Sequence, residues 1–421
     1  MNKIKNRILG TNEKVFWVLD QNNSTQFAVA AEIEGNAEDN AWRLAINEVQ
    51  KRHLNLRVQI SGDQYSKAHF ESVEHCPIPL RIISDTGKNW NSIVEEELKQ
   101  PIDIAVAPLV KAVLIQQSGK CVLIFISNHS IGDGMSVALV IRDILTLVSG
   151  KLVEHLETSS SLDELVGLPL EKIDFSTAVG YEPNYKKSQP RSSVKIECLK
   201  LQYDLTQKLI ERSKTEGTTI HGALSAAIVI ALKRLDPSAQ EKPVSILHPL
   251  SARTTLNIGE DYGLLINITT LSYNPPPQET FWNFAKDVRK GIASLQTPEW
   301  IRQDIEGTSE LFKNGMDVKD VERLLHRGTE HEVMLTNLGR LCVETDYYPL
   351  KLKLLWGPMV LTPHQDAQTI GVATLSGELT LTLTGQKSSK SLLESVEDIL
   401  YEACLTPQDT QLDKFYEKAV N

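Results

Sequence analysis

One short segment of the chain carries residue types that could do chemistry. The segment from His129 to Gly134 reads H-S-I-G-D-G, which places Asp133 four residues after His129. Imidazole is the side chain most easily poised as a general base near neutral pH, because its ordinary pKa is about 6.5. Such a base can remove the proton of an alcohol that attacks a thioester and then deliver it to the leaving thiolate. The segment therefore suggests acyl transfer with His129 as the base.

The other residues of this segment leave several roles open. Asp133 either holds the tautomer of the imidazole directly, as in a triad, or points away and braces the loop through an arginine. Gly132 and Gly134 can adopt positive φ and leave room for a substrate backbone. A histidine after a buried strand could also simply cap the next helix, so the string alone does not decide its role.

The flanking residues predict the elements that position this segment. Two apolar runs, Leu109 to Ile115 and Cys121 to Ser127, are separated by a polar stretch with a glycine, which is typical of a hairpin. The second run lacks polar alternation and predicts a strand buried on both faces. Met135 to Val148 has apolar residues at helical spacing. His129 and Asp133 should therefore lie on a strand-to-helix connection, where side chains are exposed on a rigid scaffold.

Apolar spacing predicts mixed strands and helices along the rest of the chain, without strict alternation. The periodicity fades from Thr158 to Lys195 and then restarts. We therefore expect an α+β protein with two halves, residues 1–180 and 190–421. The predicted strands are 27–33, 244–249, 264–271, 333–336, 352–355, 369–375 and 379–383; the predicted helices are 39–51, 93–98, 205–215, 220–235, 281–295, 318–326 and 392–404.

Composition excludes several functional classes. The net charge of −10 argues against a dedicated nucleic-acid binder, which needs a basic face to neutralise phosphates. No apolar run reaches the roughly 18 residues of a membrane span, and the charged N-terminus leads into no secretory core, so we expect a cytoplasmic protein. The 5 cysteines form no C-x-x-C pair, so neither a zinc site nor a disulfide framework is expected.

Several segments, in order, resemble one known group. Besides the H-x-x-x-D-G string, these are Arg52 to Arg57 (R-H-L-N-L-R), Pro101 to Lys111, Pro249 to Arg253 (P-L-S-A-R) and Thr336 to Arg340 (T-N-L-G-R). Together they are similar to the condensation-domain superfamily, which has the chloramphenicol-acetyltransferase-like fold and includes polyketide-associated acyltransferases and alcohol O-acetyltransferases. The matches extend over nearly the whole chain, which makes them more specific than the histidine string alone.

The resemblance implies two chloramphenicol-acetyltransferase-like subdomains packed in a V, with the active site at their interface. His129 would be the catalytic base midway along a channel open at both faces. Asp133 would be mainly structural and paired with an arginine, for which we choose Arg57. Arg253, like Arg340, would brace the site, while Gly134 belongs to the motif. No bound cofactor or metal is implied; the co-substrate would be acyl-CoA or an acyl group on the phosphopantetheine of a carrier protein.

The resemblance also places residues on the wall of the channel. Thr336 and Asn337 would line the side opposite His129 and help bind substrate or the developing oxyanion; the alternative for Asn337 is turn chemistry, because Asn-x-Gly suits a turn. Asn128 stands where peptide condensation domains usually show a first histidine, and we place it in the channel too. This departure weakens the peptide-synthesis interpretation.

Three functional hypotheses remain open. The first is a free-standing O-acyltransferase that makes an ester from a thioester and a small-molecule alcohol. The second is an enzyme of the peptide-condensation type that makes an amide from an amine acceptor. The third is a catalytically degenerate relative that only binds a carrier protein, against which the presence of His129, Asp133 and Gly134 argues.

Overall fold

The computed structural model describes most of the chain, namely residues 6–21, 23–62, 68–84, 87–156, 160–170, 188–236, 240–313, 318–364, 366–407 and 410–416. Much of the segment in which the periodicity fades lies outside these residues. The boundary that we drew between residues 180 and 190 therefore stays a prediction.

The strands and helices alternate irregularly, as expected of an α+β protein. The strands are β1 (Arg7–Ile8), β2 (Phe27–Glu34), β3 (Val58–Ser61), β4 (His69–Ser72), β5 (Leu80–Ser84), β6 (Val110–Gln117), β7 (Lys120–Ser127), β8 (Lys195–Lys200), β9 (Val244–Ser251), β10 (Ile266–Tyr273), β11 (Val333–Leu341), β12 (Asp346–Tyr347), β13 (Leu350–Val360), β14 (Gln368–Leu375) and β15 (Glu378–Gly385). The helices are α1 (Thr11–Asp20), α2 (Asp39–Arg52), α3 (Trp90–Lys99), α4 (Gly134–Val148), α5 (Leu162–Leu165), α6 (Tyr203–Thr215), α7 (Ile220–Leu235), α8 (Phe281–Ser294), α9 (Pro298–Lys313), α10 (Val318–Gly328), α11 (Lys390–Leu405) and α12 (Asp413–Tyr416), with a 3-10 turn at Leu54–Arg57.

Two six-stranded sheets organise the fold. The first has the order β12-β13-β2-β7-β6-β5, and the second has the order β10-β9-β11-β14-β15-β8. A small third sheet has the order β1-β4-β3. Most neighbours are antiparallel, whereas β5–β6, β9–β11 and β11–β14 are parallel.

The chain crosses between the sheets late in the sequence. Strand β13 follows the second-sheet strand β11, yet it pairs antiparallel with β2 of the first sheet. Strand β14 then returns to the second sheet beside β11. The sheets are thus tied together by a strand from the later part of the chain, which a division by sequence does not express.

Strand β7 shows why the first sheet is buried on both faces. Its alternate residues Leu123 and Phe125 belong to one apolar core, and Ile124 and Ile126 belong to another on the opposite face. Successive side chains of a strand point to opposite faces, so an unbroken apolar run needs a core on each side. The prediction of a strand buried on both faces is confirmed.

The larger core joins residues from both halves of the chain, including Trp42 and Ile141 from the earlier half and Met334 and Leu375 from the later one. A second large core lies within the later half, between its sheet and helices such as α7 and α11. Among the described residues, no single helix is long and apolar enough to cross a membrane; α6 and α7 pass that criterion together but are bent by 106° where they meet.

Candidate active site

The H-x-x-x-D-G segment lies on the connection from β7 to α4, as the sequence predicts. Asp133 is the residue that caps the N-terminus of α4, and its side chain accepts a hydrogen bond from the Ser136 amide. An aspartate at this position accepts a hydrogen bond from one of the free N–H groups of the first turn. Its negative charge is also stabilised by the positive end of the helix dipole. The helix cap is thus Asp133, and His129 is left free for another role.

The imidazole of His129 is buried between two aromatic rings. It stacks on Phe16 of α1 with ring centroids 4.3 Å apart, and Phe27 of β2 lies at 4.6 Å. Burial lowers the pKa of His129 to about 4, although Asp133 and the backbone of His129 and Gly132 oppose this shift. The ring is therefore neutral at pH 7 and able to accept a proton.

The ring nitrogens of His129 are not held by a carboxylate. Nδ1 is fully buried and makes no hydrogen bond of regular geometry with any described residue. Asp133 uses its oxygens elsewhere: Oδ1 accepts from the amide and hydroxyl of Ser136 at 2.8 and 2.9 Å, and Oδ2 accepts from the Leu265 amide at 3.0 Å. Of the two roles considered for Asp133, the structure shows the bracing one.

The arginine that faces Asp133 is Arg253. Its Nη2 lies 3.4 Å from Asp133 Oδ1 and donates to Ser136 Oγ at 2.8 Å and to the Asp261 carbonyl at 2.9 Å. Arg253 follows β9 in the later half of the chain, whereas Asp133 belongs to the earlier half. The pair therefore joins the two halves, as expected of a bracing residue.

Our choice of Arg57 as the partner of Asp133 is wrong. The guanidinium of Arg57 donates instead to the backbone carbonyl of Glu74. The reason is local geometry, because the 3-10 turn before β3 carries Arg57 toward the small third sheet rather than toward α4.

Two other residues of the R-H-L-N-L-R segment contact α4 instead. Arg52 Nε and His53 Nε2 each lie 2.8 Å from Asp143 Oδ2, and all three side chains are almost fully buried. Arg52 also pairs with Glu260 at 2.5 Å. This segment therefore fastens α2 to α4 and to the connection between β9 and β10.

Close approach, and not positive φ, explains the two glycines. Neither Gly132 nor Gly134 is among the residues of positive φ, so that expectation is wrong. A Cβ at Gly132 would lie 2.6 Å from the ring of Tyr262, and a Cβ at Gly134 would overlap Pro358 and lie 3.1 Å from Leu338 Cδ2. Both positions need glycine because the later half of the chain packs directly against the motif.

Asn128 does not line an open channel, and this prediction is wrong. It is fully buried; its Nδ2 donates to Asp20 Oδ1 at 3.1 Å, and its Oδ1 accepts from the Ser130 amide at 2.9 Å. A side chain with both ends bonded to protein groups serves the loop rather than a ligand.

The T-N-L-G-R segment lies on β11, close to the motif. Thr336 and Asn337 are partly exposed, and the next residue, Leu338, approaches Gly134. Asn337 Oδ1 accepts from the Gly339 amide at 2.7 Å, and Gly339 has φ of 71° beside an irregularity in the strand pairing. The turn chemistry that we considered for Asn337 is thus present, while contact of Thr336 or Asn337 with a substrate stays a prediction.

Several residues of the site carry no signal in the sequence. Phe16, Phe27 and Tyr262 pack against the motif, and the Tyr262 hydroxyl lies 2.7 Å from Ser127 Oγ. Tyr262 and Ser127 are 135 positions apart in the chain. An aromatic residue at such a distance gives no periodic or motif signal, so sequence analysis had no means of finding it.

Metal ligation receives no support from the described residues, among which no three His, Cys, Asp or Glu side chains form a group that could hold an ion. The rings of His326, His331 and His364 do gather between α10 and the end of β13, with centroids 3.9 Å and 5.0 Å from that of His364. They pack as a cluster and do not converge on one point.

Comparison with known proteins found a family model that matches part of the chain. Residues 15–161, about a third of the chain, match the family model described as "Condensation domain". Tyrocidine synthase 3 of Brevibacillus parabrevis is 25% identical over 278 residues, which are 61% of this chain and 4% of that protein. Gramicidin S synthase 2 of Aneurinibacillus migulanus is 22% identical over 337 residues, 72% of this chain and 7% of that protein. The chain thus spans a small part of the length of these relatives.

Solved structures share the fold over almost the whole chain. The first condensation domain of the calcium-dependent antibiotic synthetase has a TM-score of 0.72 at 15% identity. The superposition covers 98% of this chain and 99% of that domain's chain. Polyketide synthase associated protein 5 from Mycobacterium tuberculosis has a TM-score of 0.66 at 15% identity, with 95% and 98% covered. A four-domain nonribosomal peptide synthetase has a TM-score of 0.64 at 14% identity, with 98% and 34% covered.

These findings confirm two predictions from the sequence. The resemblance to the condensation-domain superfamily holds, and the α+β fold is that of condensation domains. At these identities the structural likeness establishes the fold alone, so the reaction has to be argued from the site.

Proposed function

We propose that this chain transfers an acyl group from a thioester to a hydroxyl acceptor and forms an ester, with His129 as general base. The observation that carries the proposal is the imidazole itself, which is buried between Phe16 and Phe27 with its pKa lowered to about 4. A neutral imidazole shielded from water can accept a proton from an attacking group at neutral pH. The match of residues 15–161 to the condensation-domain model supports acyl transfer as the reaction class.

In the proposed reaction the acceptor oxygen attacks the carbonyl carbon of the thioester. Ring Nε2 removes the hydroxyl proton, because the other ring nitrogen, Nδ1, is fully buried. A C–O bond forms, the C–S bond breaks, and the imidazolium returns the proton to the leaving thiolate. The donor is acyl-CoA or an acyl group on the phosphopantetheine of a carrier protein, and the base ends each cycle neutral.

Asp133 takes no part in this proton transfer. Its two carboxylate oxygens are occupied by Ser136, Leu265 and Arg253. In our proposal it fixes the start of α4 against the later half of the chain, and thereby the loop that carries His129.

The second candidate is amide formation with an amine acceptor. It is favoured by the similarity to the synthases of tyrocidine and gramicidin S and to a nonribosomal peptide synthetase. An amine is a stronger nucleophile than an alcohol and depends less on a base. Loss of His129 should therefore reduce ester formation more than amide formation.

The test is thioester consumption by the purified chain. Acyl-CoA and acyl-carrier donors would be combined with pooled alcohols and amines, and free thiol and product masses would be followed for wild type and His129→Ala. We expect the wild-type protein to form product and the turnover rate of the variant to be lower by about 10²–10⁴-fold, the range typical of general-base catalysis. Unchanged turnover in His129→Ala would overturn the mechanism.

A matched control guards against a general effect of losing a buried histidine. His331 is 8% exposed and His129 is 6% exposed, and burial lowers the pKa of both. His331 belongs to the separate histidine cluster, so His331→Ala should keep its turnover. Product masses from the same reactions separate ester from amide, and binding of an acyl-carrier protein without turnover would favour the binding-only alternative.

A further inference from the structure

No hydrogen bond of regular geometry to a described residue fixes the orientation of the His129 imidazole. Its Nδ1 lacks such a partner, and Asp133 is bonded elsewhere. The ring is instead held by packing between Phe16 at 4.3 Å and Phe27 at 4.6 Å. Whatever fixes these two rings relative to His129 therefore helps to hold the imidazole, together with the nearby backbone of His129 and Gly132.

The two rings come from neighbouring elements that meet at one carboxylate. Phe16 lies in α1, four residues before Asp20 at the end of that helix. Phe27 is the first residue of β2, two residues after Thr25. Asp20 is 2% exposed and lies where the chain turns from α1 into β2.

One oxygen of Asp20 binds both the turn and the segment that contains His129. Oδ1 accepts from the Thr25 amide at 2.8 Å, from the Thr25 hydroxyl at 3.0 Å and from Asn128 Nδ2 at 3.1 Å. Asn128 in turn accepts from the Ser130 amide at 2.9 Å, so it holds the residues on both sides of His129.

We infer that Asp20 is a positioning residue for His129, because its carboxylate joins the three segments that hold the imidazole: α1 with Phe16, the start of β2 with Phe27, and the Asn128–Ser130 turn. The inference rests on the proposed function, since it concerns the same imidazole. The hydrogen bonds of Asp20 Oδ1 go to Thr25 and Asn128 and not to the ring, so Asp20 acts through these segments.

The surroundings of Asp20 agree with a structural hub. None of the described lysines and arginines forms an ion pair with it within 4.0 Å, although Arg191 is near enough to attract its charge. Burial raises the pKa of Asp20 to about 6, opposed by hydrogen bonds from Thr25, Asn128 and Ser188. A buried carboxylate without a cation in direct contact costs free energy, and the hydrogen bonds to Oδ1 offset part of that cost. The three hydrogen bonds at Oδ1 need an acceptor oxygen, which an amide supplies as well as a carboxylate does.

The test compares Asp20→Asn with Asp20→Ala. Asparagine keeps Oδ1 and all three hydrogen bonds, whereas alanine removes them. The first readout is the pKa of His129, which is measured by NMR titration of histidine-labelled protein. The His129 signal is assigned by its absence from His129→Gln. The second readout is steady-state kinetics, which gives kcat and KM separately, with a donor and an acceptor that the wild-type protein uses.

We expect Asp20→Ala to raise the pKa of His129 toward its ordinary value, because a loosened pocket admits water. Its kcat should fall by about 10²-fold, the effect of a misplacement of about 1 Å, while KM changes little. Asp20→Asn should match wild type in both readouts. An unchanged His129 pKa and kcat in folded Asp20→Ala would overturn the inference.

The matched control is Asp163→Ala, at the other end of the same helix. Asp163 is 6% exposed and accepts from the Thr11 amide and hydroxyl at 2.9 and 2.6 Å. Asp163→Ala should lose as much thermal stability as Asp20→Ala does, but it should leave the His129 pKa unchanged. An equal shift of that pKa in this variant would overturn the inference, because general weakening of α1 would then explain it.

Two further outcomes are provided for. If Asp20→Ala does not fold, Asn128→Ala removes the bond from Asp20 to the His129 turn together with the bond from the Ser130 amide, and the same readouts apply to it. If wild type turns over no substrate, the proposed function fails, but the pKa of His129 still decides whether Asp20 positions the ring.

Discussion

Asp133 and Arg253 face each other across the two halves of the chain, with Oδ1 of the aspartate 3.4 Å from Nη2 of the arginine. Both side chains are nearly buried, and their further hydrogen-bond partners include Ser136, the Leu265 amide and the Asp261 carbonyl. The aspartate of the motif therefore fastens one half of the molecule to the other. It does not act as the orienting member of a triad with His129.

This geometry predicts a modest catalytic effect for Asp133→Asn. Replacing the aspartate of a catalytic triad by asparagine lowers kcat by about 10⁴-fold. Here we expect a far smaller loss of kcat and a lower free energy of unfolding, by about 1–3 kcal/mol, because an amide N–H would face the Leu265 amide and Arg253 would lose its counter-charge. Denaturant unfolding and steady-state kinetics measure the two effects; a loss near 10⁴ at unchanged stability would restore the triad.

Gly134→Ala should destabilise the interface between the halves. The new methyl group would overlap Pro358 and press on Leu338, so the free energy of unfolding should fall by about 1–3 kcal/mol. Gly307 is the control, because it lies inside α9 with nothing within 4 Å of its Cβ position. Gly307→Ala should raise stability by up to about 1 kcal/mol, the difference in helix propensity. Equal effects in the two variants would contradict the close packing at Gly134.

The histidines predict that stability falls as the pH falls. Burial lowers the pKa values of His129 and His221 to about 4, so below the ordinary value of 6.5 the unfolded chain binds protons that the folded chain does not. Each such histidine should cost about 1.4 kcal/mol per pH unit between 6.5 and 4. Asp20 acts in the opposite direction between about 6 and 3.8, because burial raises its pKa.

Equilibrium unfolding at several pH values measures this dependence. His129→Gln should have a shallower slope than wild type between pH 6.5 and 4, since one buried neutral histidine is gone. Asp20→Asn should have a steeper slope, since the compensating carboxyl group is gone. A slope of His129→Gln equal to that of wild type would mean that His129 titrates normally in the folded protein.

The ion pairs between α2, α4 and the β9–β10 connection should differ in strength by burial. Asp143 is 2% exposed in its side chain and contacts Arg52, His53 and Arg142 at 2.6–2.8 Å. Asp143→Asn should therefore lower the free energy of unfolding by about 3–5 kcal/mol, because charges are left buried without a partner. Glu260 pairs with Arg52 and Arg142 but is 45% exposed, so Glu260→Gln should cost less than about 1 kcal/mol. Similar costs for the two variants, measured in urea, would show that burial does not control these pairs.

Local patterns predicted some helices and strands closely and missed others. Helix α7 was predicted at 220–235 and has those bounds, because its residues pack into the core of the later half. Helix α9 was missed, and its only buried residues are Ile301 and Ile305. Ile301 and Ile305 are four residues apart, which is a helical spacing, so the pattern was present in the sequence and was overlooked.

Histidines other than His129 illustrate both the reach and the limit of such arguments. His53, His221 and His248 stand beside apolar segments, which predicts hydrogen-bonded structural residues. The structure confirms this. His53 forms a hydrogen bond with Asp143. His221 Nε2 lies 2.9 Å from His248 Nδ1, and the other ring nitrogen of His248 contacts the hydroxyl of Tyr273. Their partners could not be named in advance, since a requirement for a hydrogen bond does not say which residue supplies it.

By itself, the sequence determined the fold class, the strand-to-helix setting of the motif and the identity of His129 as the candidate base. These follow from apolar periodicity and short motifs, which act over one turn of helix or one strand. The tertiary structure decided that Asp133 faces Arg253 and not Arg57, that Asn128 is buried, and that Phe16 and Phe27 enclose the imidazole. Such contacts join residues about 100 or more positions apart, and they depend on how the sheets and helices pack, which no local pattern encodes.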